Sequence, residues 1–159
     1  MTAFYWDASA VVKRYRAERG SAVATEIFSR RTASETFATC QLLRLEVQSS
    51  ASRALQAREL TTDGAARMVT SFLQDYRGFS VIFLSGQLAI EAAEYVRLYQ
   101  LKALDALHFA AAMRVREALP PPMALVTSDH DLVSAGARAG LTVLDPTAAD
   151  ASQVLQRLR

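Results

Sequence analysis

Cysteine is nearly missing: Cys40 is the only one in 159 residues. A single thiol can form no internal disulfide and cannot by itself make a thiolate metal site, so the chain fits a reducing compartment. Long apolar runs are missing too. No stretch approaches the roughly 20 apolar residues that a membrane-spanning helix needs. The opening Met-Thr-Ala-Phe-Tyr-Trp-Asp lacks the basic-then-apolar order of a secretory leader. The expectation is a cytoplasmic protein that makes no membrane contact. Glycine is scarce, and none lies in the turn Asp7-Ala8-Ser9, which removes the glycine-rich signature of dinucleotide binding. Lysine is scarcer still, with only Lys13 and Lys102 among 18 cationic residues and arginine for the rest. Arginine favours planar, bidentate contacts to phosphate and carboxylate, although arginine-biased codon usage would give the same ratio. A large charge excess is also lacking. The net charge of +2 is too small to mark a nucleic-acid binder, while a pI near 8.9 permits one. With 51% hydrophobic and 21% charged residues, the chain has the composition of an ordinary globular domain with its own core.

What is present is organised around Phe4-Tyr-Trp6-Asp7-Ala-Ser9-Ala-Val-Val12. A short aromatic strand breaks off at a carboxylate and runs into a helix. Such a start places the strand mid-sheet in an α/β domain, and such domains bind ligands at the carboxyl ends of their strands. Ser9 is a candidate N-cap for a helix from Ala10 to about Arg19, so that Asp7 and free helix amides would face one crevice. Gly20 would close that helix as a left-handed C-cap. The alternative is that Asp7 is only a turn residue. Lys13, Arg14, Arg16 and Arg19 form a basic patch, either a solvated helix face or a contact for an acidic or phosphate partner.

Further along, Ser21 to Arg31 reads as a helix and Thr36 to Cys40 as a strand with a buried thiol. Gln41 to Ala57 reads as a helix with Leu43, Val47, Ala51, Ala54 and Leu55 on one face. Glu46 stands at the margin of that stripe, about 100° round from Val47. It either pairs with Arg53 or has a functional role, since Glu is rarely buried without a partner. After Thr61-Thr-Asp-Gly64, a helix from Ala65 to Tyr76 completes a hairpin that can cover a sheet edge or bind a partner chain. Ser80-Val-Ile-Phe-Leu84 has the continuous apolar character of a strand buried on both faces, and Ser85 caps a helix over Gln87–Gln100. Asp105 falls in the first turn of the next helix, where the dipole favours an anion. It shares a face with Phe109, Ala112 and Arg116, and is either a cap or a site residue. His108, on an alanine-rich face, reads as a hydrogen-bonded core residue rather than a metal ligand. Pro120-Pro-Pro122 ends that helix. The strand Met123–Thr127 then stops at Ser128-Asp129-His130-Asp131, so a second strand delivers a carboxylate to its C-terminal end. Either aspartate could cap a helix from Leu132 to Ala139. A last strand, Leu141–Leu144, closes a single domain over residues 1–147, leaving 148–159 as a tail or short, loosely attached helix.

Taken in order, these stretches resemble the PIN-domain ribonucleases, and most closely the VapC-type toxins of bacterial toxin–antitoxin pairs. The resemblance runs from Tyr5 to about Pro146. It rests on Tyr5-Trp-Asp7-Ala-Ser9-Ala-Val-Val-Lys-Arg-Tyr15, on Glu46, on Leu104-Asp105-Ala-Leu-His-Phe-Ala-Ala-Ala112, and on Val126-Thr127-Ser-Asp129-His-Asp-Leu132. It implies an α/β fold of the PIN-like three-layer α/β/α kind, with a central parallel sheet of four to five strands. It implies that Asp7, Glu46, Asp105 and Asp129 form a catalytic acidic quartet, with Asp7, Asp105 and Asp129 on Mg²⁺ or Mn²⁺. Ser9 and Thr127 would be supporting hydroxyls, with Asp131 beside them as the less favoured candidate for the last carboxylate. Ala8 stands where many relatives carry Thr. The implied activity is a metal-dependent endoribonuclease leaving 5′-phosphate and 3′-hydroxyl ends, with RNA as substrate and Lys13 and Arg16 on flanking phosphates. A cognate antitoxin that blocks the acidic groove and a homodimer formed through helices would be its partners. A non-catalytic PIN-like module binding RNA or protein is the alternative.

Elementary electrostatics agrees with the quartet. Two carboxylates about 4 Å apart repel by about 4 kcal/mol at an effective dielectric near 20, so a cluster of them stays ionised only around a cation. Oxygen ligands select hard Mg²⁺ or Mn²⁺ over Zn²⁺, which favours His and Cys. Rival carboxylate chemistries fit less well. A haloacid-dehalogenase-like phosphatase needs a second Asp where Ser9 stands, and a response-regulator receiver needs an acidic pair after its first strand and a late lysine that neither Lys13 nor Lys102 supplies.

Overall fold

A computed structural model describes residues 1–159. Strand β1 (Thr2–Trp6) is buried along its whole length. Phe4 and Trp6 enter one core while Ala3 and Tyr5 enter the other, as the two-residue period of a strand demands. Asp7 follows with extended backbone, and its own carboxylate accepts from the Ser9 amide. Asp7, not Ser9, therefore caps α1 (Ala8–Val11). This helix continues through one 3₁₀ turn, Val12–Arg14, and stops well short of Arg19. Tyr15 ends it by turning inward, edge-on to Phe28 and Phe72, with its hydroxyl donating to Asp75 (2.8 Å). Gly20 is left-handed as expected (φ 92°) but leads into α2 (Ser21–Ser29) instead of closing the first helix. A Cβ there would lie 3.0 Å from the Pro146 carbonyl.

Strands β2 (Glu35–Cys40), β3 (Phe79–Ile82), β4 (Met123–Val126) and β5 (Thr142–Leu144) complete one parallel sheet in the order β3-β2-β1-β4-β5. Helices α3 (Leu43–Gln56) and α4 (Thr62–Tyr76) join β2 to β3. Helices α5 (Gly86–Tyr99) and α6 (Ala103–Ala118) carry the chain back across the sheet to β4, and α7 (His130–Arg138) joins β4 to β5. One core lies between the sheet and the first four helices, and the other lies between the sheet and α5 to α7. The expected three-layer α/β/α arrangement is present, with five strands. No helix is long and apolar enough to cross a membrane. Because the chain moves from β1 to β2 on one side and reaches β4 on the other, the strand order reverses at β1/β4. An open parallel sheet forms its ligand crevice at such a point.

Two further expectations need correction. The apolar run after Ser80 is not buried on both faces: β3 is an edge strand, and Phe83 and Leu84 beyond it are 68% and 44% exposed. Apolar composition reports affinity for a covered surface, not position within the sheet. The C-terminal segment is not loosely attached either. In α8 (Ala151–Leu158), Ala151, Leu155 and Leu158 are buried. The Thr2 hydroxyl donates to the Leu158 carbonyl (2.8 Å), and Arg159 pairs with Glu35 (2.8 Å). Leu155→Ala should therefore cost about 2–5 kcal/mol of unfolding free energy, the range for truncating a buried leucine. Chemical denaturation checks this, since a loosely attached helix would give a change within about 0.5 kcal/mol.

Candidate active site

The loops after β1 and β4 are tied to each other through Asp7, which is only 5% exposed. Its Oδ2 accepts from the Ser9 amide (3.1 Å), the Ser9 hydroxyl (2.5 Å) and the Thr127 hydroxyl (3.0 Å). Ser9 Oγ in turn accepts from the Ser128 amide (2.9 Å), and Thr127 Oγ1 accepts from the Asp129 amide (3.1 Å). Both hydroxyls thus donate to the carboxylate, and each accepts an amide of the loop after β4, Ser9 from across the crevice and Thr127 from within its own loop. Ser128 is fixed from outside by donating to Asp145 (2.7 Å). Burial pushes the Asp145 carboxyl up, but hydrogen bonds from Ser128 and Thr147 and the charge of Lys13 outweigh it and hold the group below its ordinary range.

Asp129 is the N-cap of α7. Its Oδ1 accepts from the amides of Asp131 (2.9 Å) and Leu132 (3.0 Å), and its second oxygen takes no donor from the protein. The helix accordingly begins at His130, two residues before the expected start. Asp105 lies in the first turn of α6. One carboxylate oxygen each from Asp105, Asp129 and Asp131 lies within 4.8 Å of the others. Burial first, and then the charges of Asp129, Asp7 and Asp131, push the Asp105 carboxyl up to about 6, with Lys102 opposing.

Facing this group, Asp7, Glu46 and His108 form a second set within 4.8 Å. Glu46 does not pair with Arg53, which donates instead to Ser49 (2.7 Å). Its Oε2 lies 2.6 Å from His108 Nε2. His108 is fully buried, as the sequence predicts, and its Nδ1 meets the Tyr5 hydroxyl at 3.0 Å. Burial alone would lower the His108 pKa, but the hydrogen bond with Glu46 and the charges of Asp7, Glu46 and Asp105 raise it. Tyr5 was legible as a neighbour of Asp7 from strand alternation, and His108 as a neighbour of Asp105 from i, i+3 spacing. Their contact, across a hundred residues of chain, was not.

The basic patch after Asp7 is internally paired. Lys13 reaches Glu18 (3.3 Å), Arg14 approaches Asp75 (3.7 Å), Arg16 reaches Glu59 (2.7 Å), and Arg19 donates to the Thr147 carbonyl (3.1 Å). Beside Glu46 a cleft of about 450 Å³ opens, bounded by Ser9, Val12, Ser50, Arg53 and Leu104.

The donor set fits a hard divalent cation. Asp7 Oδ1 belongs to a buried carboxylate yet receives no hydrogen bond, with His108 Nε2 3.9 Å away. A carboxylate oxygen without a protein donor among like charges calls for water or a cation, and a cation also offsets the neighbouring carboxylates. The other groups open to the crevice are carboxylates, which suit Mg²⁺ or Mn²⁺.

The strain of the carboxylate group has a measurable sign. Asp105 titrates at about 6 in the folded chain against an ordinary 3.8. Its contribution to stability is therefore fully present below the lower value and lost as pH rises through the higher one. At pH 7.5, Asp105→Asn should raise the melting temperature of the metal-free protein by about 2–4 °C, the effect of about 1 kcal/mol in a chain this long. The gain should shrink as pH falls to 5, and calorimetry at both pH values checks it.

None of the curated proteins matches the chain in sequence. Solved structures match it in fold. A toxin–antitoxin complex from Klebsiella pneumoniae aligns with a TM-score of 0.58 at 18% identity, covering 91% of this chain and 97% of that one. VapBC-1 from nontypeable Haemophilus influenzae gives 0.60 at 11%, covering 93% and 100%. VapC20 of Mycobacterium tuberculosis, described as a sarcin–ricin loop cleaving toxin, gives 0.59 at 15%, covering 84% and 95%. At such identities the likeness is one of fold. The sequence model of the PIN domain matches residues 4–137, an interval that holds Asp7, Glu46, Asp105, Asp129 and Asp131 together with the sheet that gathers them, and the chain belongs to the PIN domain family.

Proposed function

We propose that the chain is a metal-dependent endoribonuclease of the VapC toxin type, hydrolysing RNA phosphodiester bonds in the crevice between β1 and β4. The observation that carries this reading is the buried Asp7 carboxylate, with one oxygen held by three donors and the other left bare toward further carboxylates. A site that binds an anionic or neutral ligand directly would not gather so much negative charge. Asp7, Asp105 and Asp129 would hold Mg²⁺ or Mn²⁺, with Glu46 completing the quartet, Ser9 and Thr127 fixing Asp7, and Asp131 at the exposed margin. When bound, such an ion supplies Lewis acidity toward a phosphodiester oxygen and offsets the charge that builds on the phosphorus during in-line attack. The choice of RNA is supported by the likeness to VapC20, a sarcin–ricin loop cleaving toxin.

Lys13 and Arg16 would hold flanking phosphates by exchanging Glu18 and Glu59 for them. A cognate antitoxin is proposed as partner, because the Klebsiella and Haemophilus structures are toxin–antitoxin assemblies. An apolar groove of about 500 Å³ between α3 and α4, lined by Leu42, Leu45, Val69, Phe72, Leu73 and Leu84, suits a helix of that partner or a second copy of the chain. A cytoplasmic location agrees with such a system.

Purified protein should cut RNA in Mg²⁺ or Mn²⁺ and stop in EDTA, and Asp7→Asn should lower the rate at least about 100-fold with its fold retained. Metal-independent cutting, or full activity in Asp7→Asn, would overturn the assignment, and RNA binding without cutting would favour a non-catalytic module. For the flanking contacts, Arg16→Ala should weaken RNA binding and reduce the salt slope of log K by about one. Unchanged low-salt affinity in Lys13→Ala and Arg16→Ala would remove both residues from the substrate path.

A further inference from the structure

We infer that Tyr5 and His108 form a buried positioning relay for Glu46, with His108 donating a hydrogen bond to that carboxylate rather than serving as a metal ligand. The inference rests on the reading of Glu46 as a member of the ion-holding acidic group.

His108 has no exposed surface, and both ring nitrogens are engaged. Nε2 faces only acceptors, Glu46 Oε2 at 2.6 Å and Asp7 Oδ1 at 3.9 Å. Between two carboxylates that nitrogen keeps its proton, and a protonated nitrogen has no lone pair for a metal. Nδ1 faces the Tyr5 hydroxyl, which can donate to a neutral imidazole or accept from an imidazolium. The Tyr5 bond therefore holds the ring in either charge state. The two rings also meet edge-on, with centroids 6.1 Å apart.

Glu46 depends on this support. It lies in the first turn of α3 with its side chain 21% exposed, and His108 Nε2 is the only donor that reaches its carboxylate. Arg53, the cation that could have competed for it, is turned to Ser49. The relay joins three elements: β1 through Tyr5, α6 through His108 and α3 through Glu46. Tyr5 precedes Asp7 by two residues on β1, and His108 follows Asp105 by three on α6, so the relay runs beneath the carboxylates proposed to hold the ion. Partners of this kind orient ligands in metal sites, and removing them typically costs about 10–100-fold in affinity or activity.

Three variants test the assignment. His108→Leu removes the donor, His108→Gln keeps a donor near the Nε2 position, and Tyr5→Phe removes only the hydroxyl that steadies the ring. Each is melted to check folding, titrated with Mn²⁺ by electron paramagnetic resonance, and assayed for kcat and KM on RNA. We expect His108→Leu to lower kcat about 10–100-fold with little change in KM, His108→Gln to recover most of the loss, and Tyr5→Phe to fall between. Electron spin-echo modulation of the Mn²⁺-loaded wild type should carry no directly coordinated ¹⁴N. A coordinated ¹⁴N that disappears in His108→Leu would make His108 a ligand and overturn the relay. Equal activity in His108→Leu and wild type, or a folded His108→Gln as inactive as His108→Leu, would reduce it to packing. A wild type that neither binds Mn²⁺ nor cuts RNA would instead sink the nuclease reading itself, and the relay with it.

Discussion

The crevice depends on one constraint, the placing of the Asp7 carboxylate almost out of water at the end of a strand covered on both faces. A buried carboxylate stays charged only where donors or a cation compensate it. Half of that compensation comes from the protein's own hydroxyls. Ser9 and Thr127 satisfy Oδ2, and the same hydroxyls receive the amides of Ser128 and Asp129. The connection between the β1 and β4 loops is thus a product of satisfying one anion. Asp129 is then oriented by the helix it caps, which spends one carboxylate oxygen on two amides and leaves the other without a protein donor, with the carboxylate beside those of Asp105 and Asp131.

Packing brings the remaining groups to this anion. Helix α6 presents Ala106, Ala110, Ala111 and Ala112 as fully or almost fully buried residues against the sheet. Small side chains permit close approach of helix to strand, and that approach lets His108 reach the Tyr5 hydroxyl on β1 and Glu46 on α3 at once. On the other face of β1, Trp6 and Phe4 lock the strand between Phe28 and Phe37. The position of Asp7 is therefore set by aromatic packing beneath it, and the position of Glu46 by a histidine that packs with it.

Much of this was legible in the sequence because it is local. Strand alternation, the apolar runs and the carboxylates at two strand ends predict an α/β domain with a crevice at its strand ends. The three-layer form and the grouping of Asp7, Glu46, Asp105 and Asp129 are what the resemblance to the PIN-domain ribonucleases implies. What was not legible is long-range. Whether Ser9 or Asp7 caps the first helix depends on Thr127, which fixes the Asp7 carboxylate from 120 residues away. Whether Glu46 pairs with Arg53 or His108 depends on how close α6 lies to the sheet. The edge position of β3 depends on strand order, which composition does not encode, and the burial of α8 depends on Thr2 and Glu35 meeting the C-terminus. In each case a local partner was available, and a distant one with better geometry or deeper burial took its place.

On the proposed reading, the same electrostatics governs substrate approach as well as chemistry. The net charge of +2 gives little long-range attraction for RNA, and Lys13, Arg14 and Arg16 already have carboxylate neighbours. The crevice itself, with Asp7, Glu46, Asp105, Asp129 and Asp131 gathered in two facing sets, repels a phosphodiester. A bound divalent cation would offset part of that charge at the point the phosphate meets, and would favour the ionised form of Asp105. Metal dependence would then enter at binding before it enters at bond cleavage. The acidic crevice without its ion would be closed to RNA by charge alone, without any moving lid.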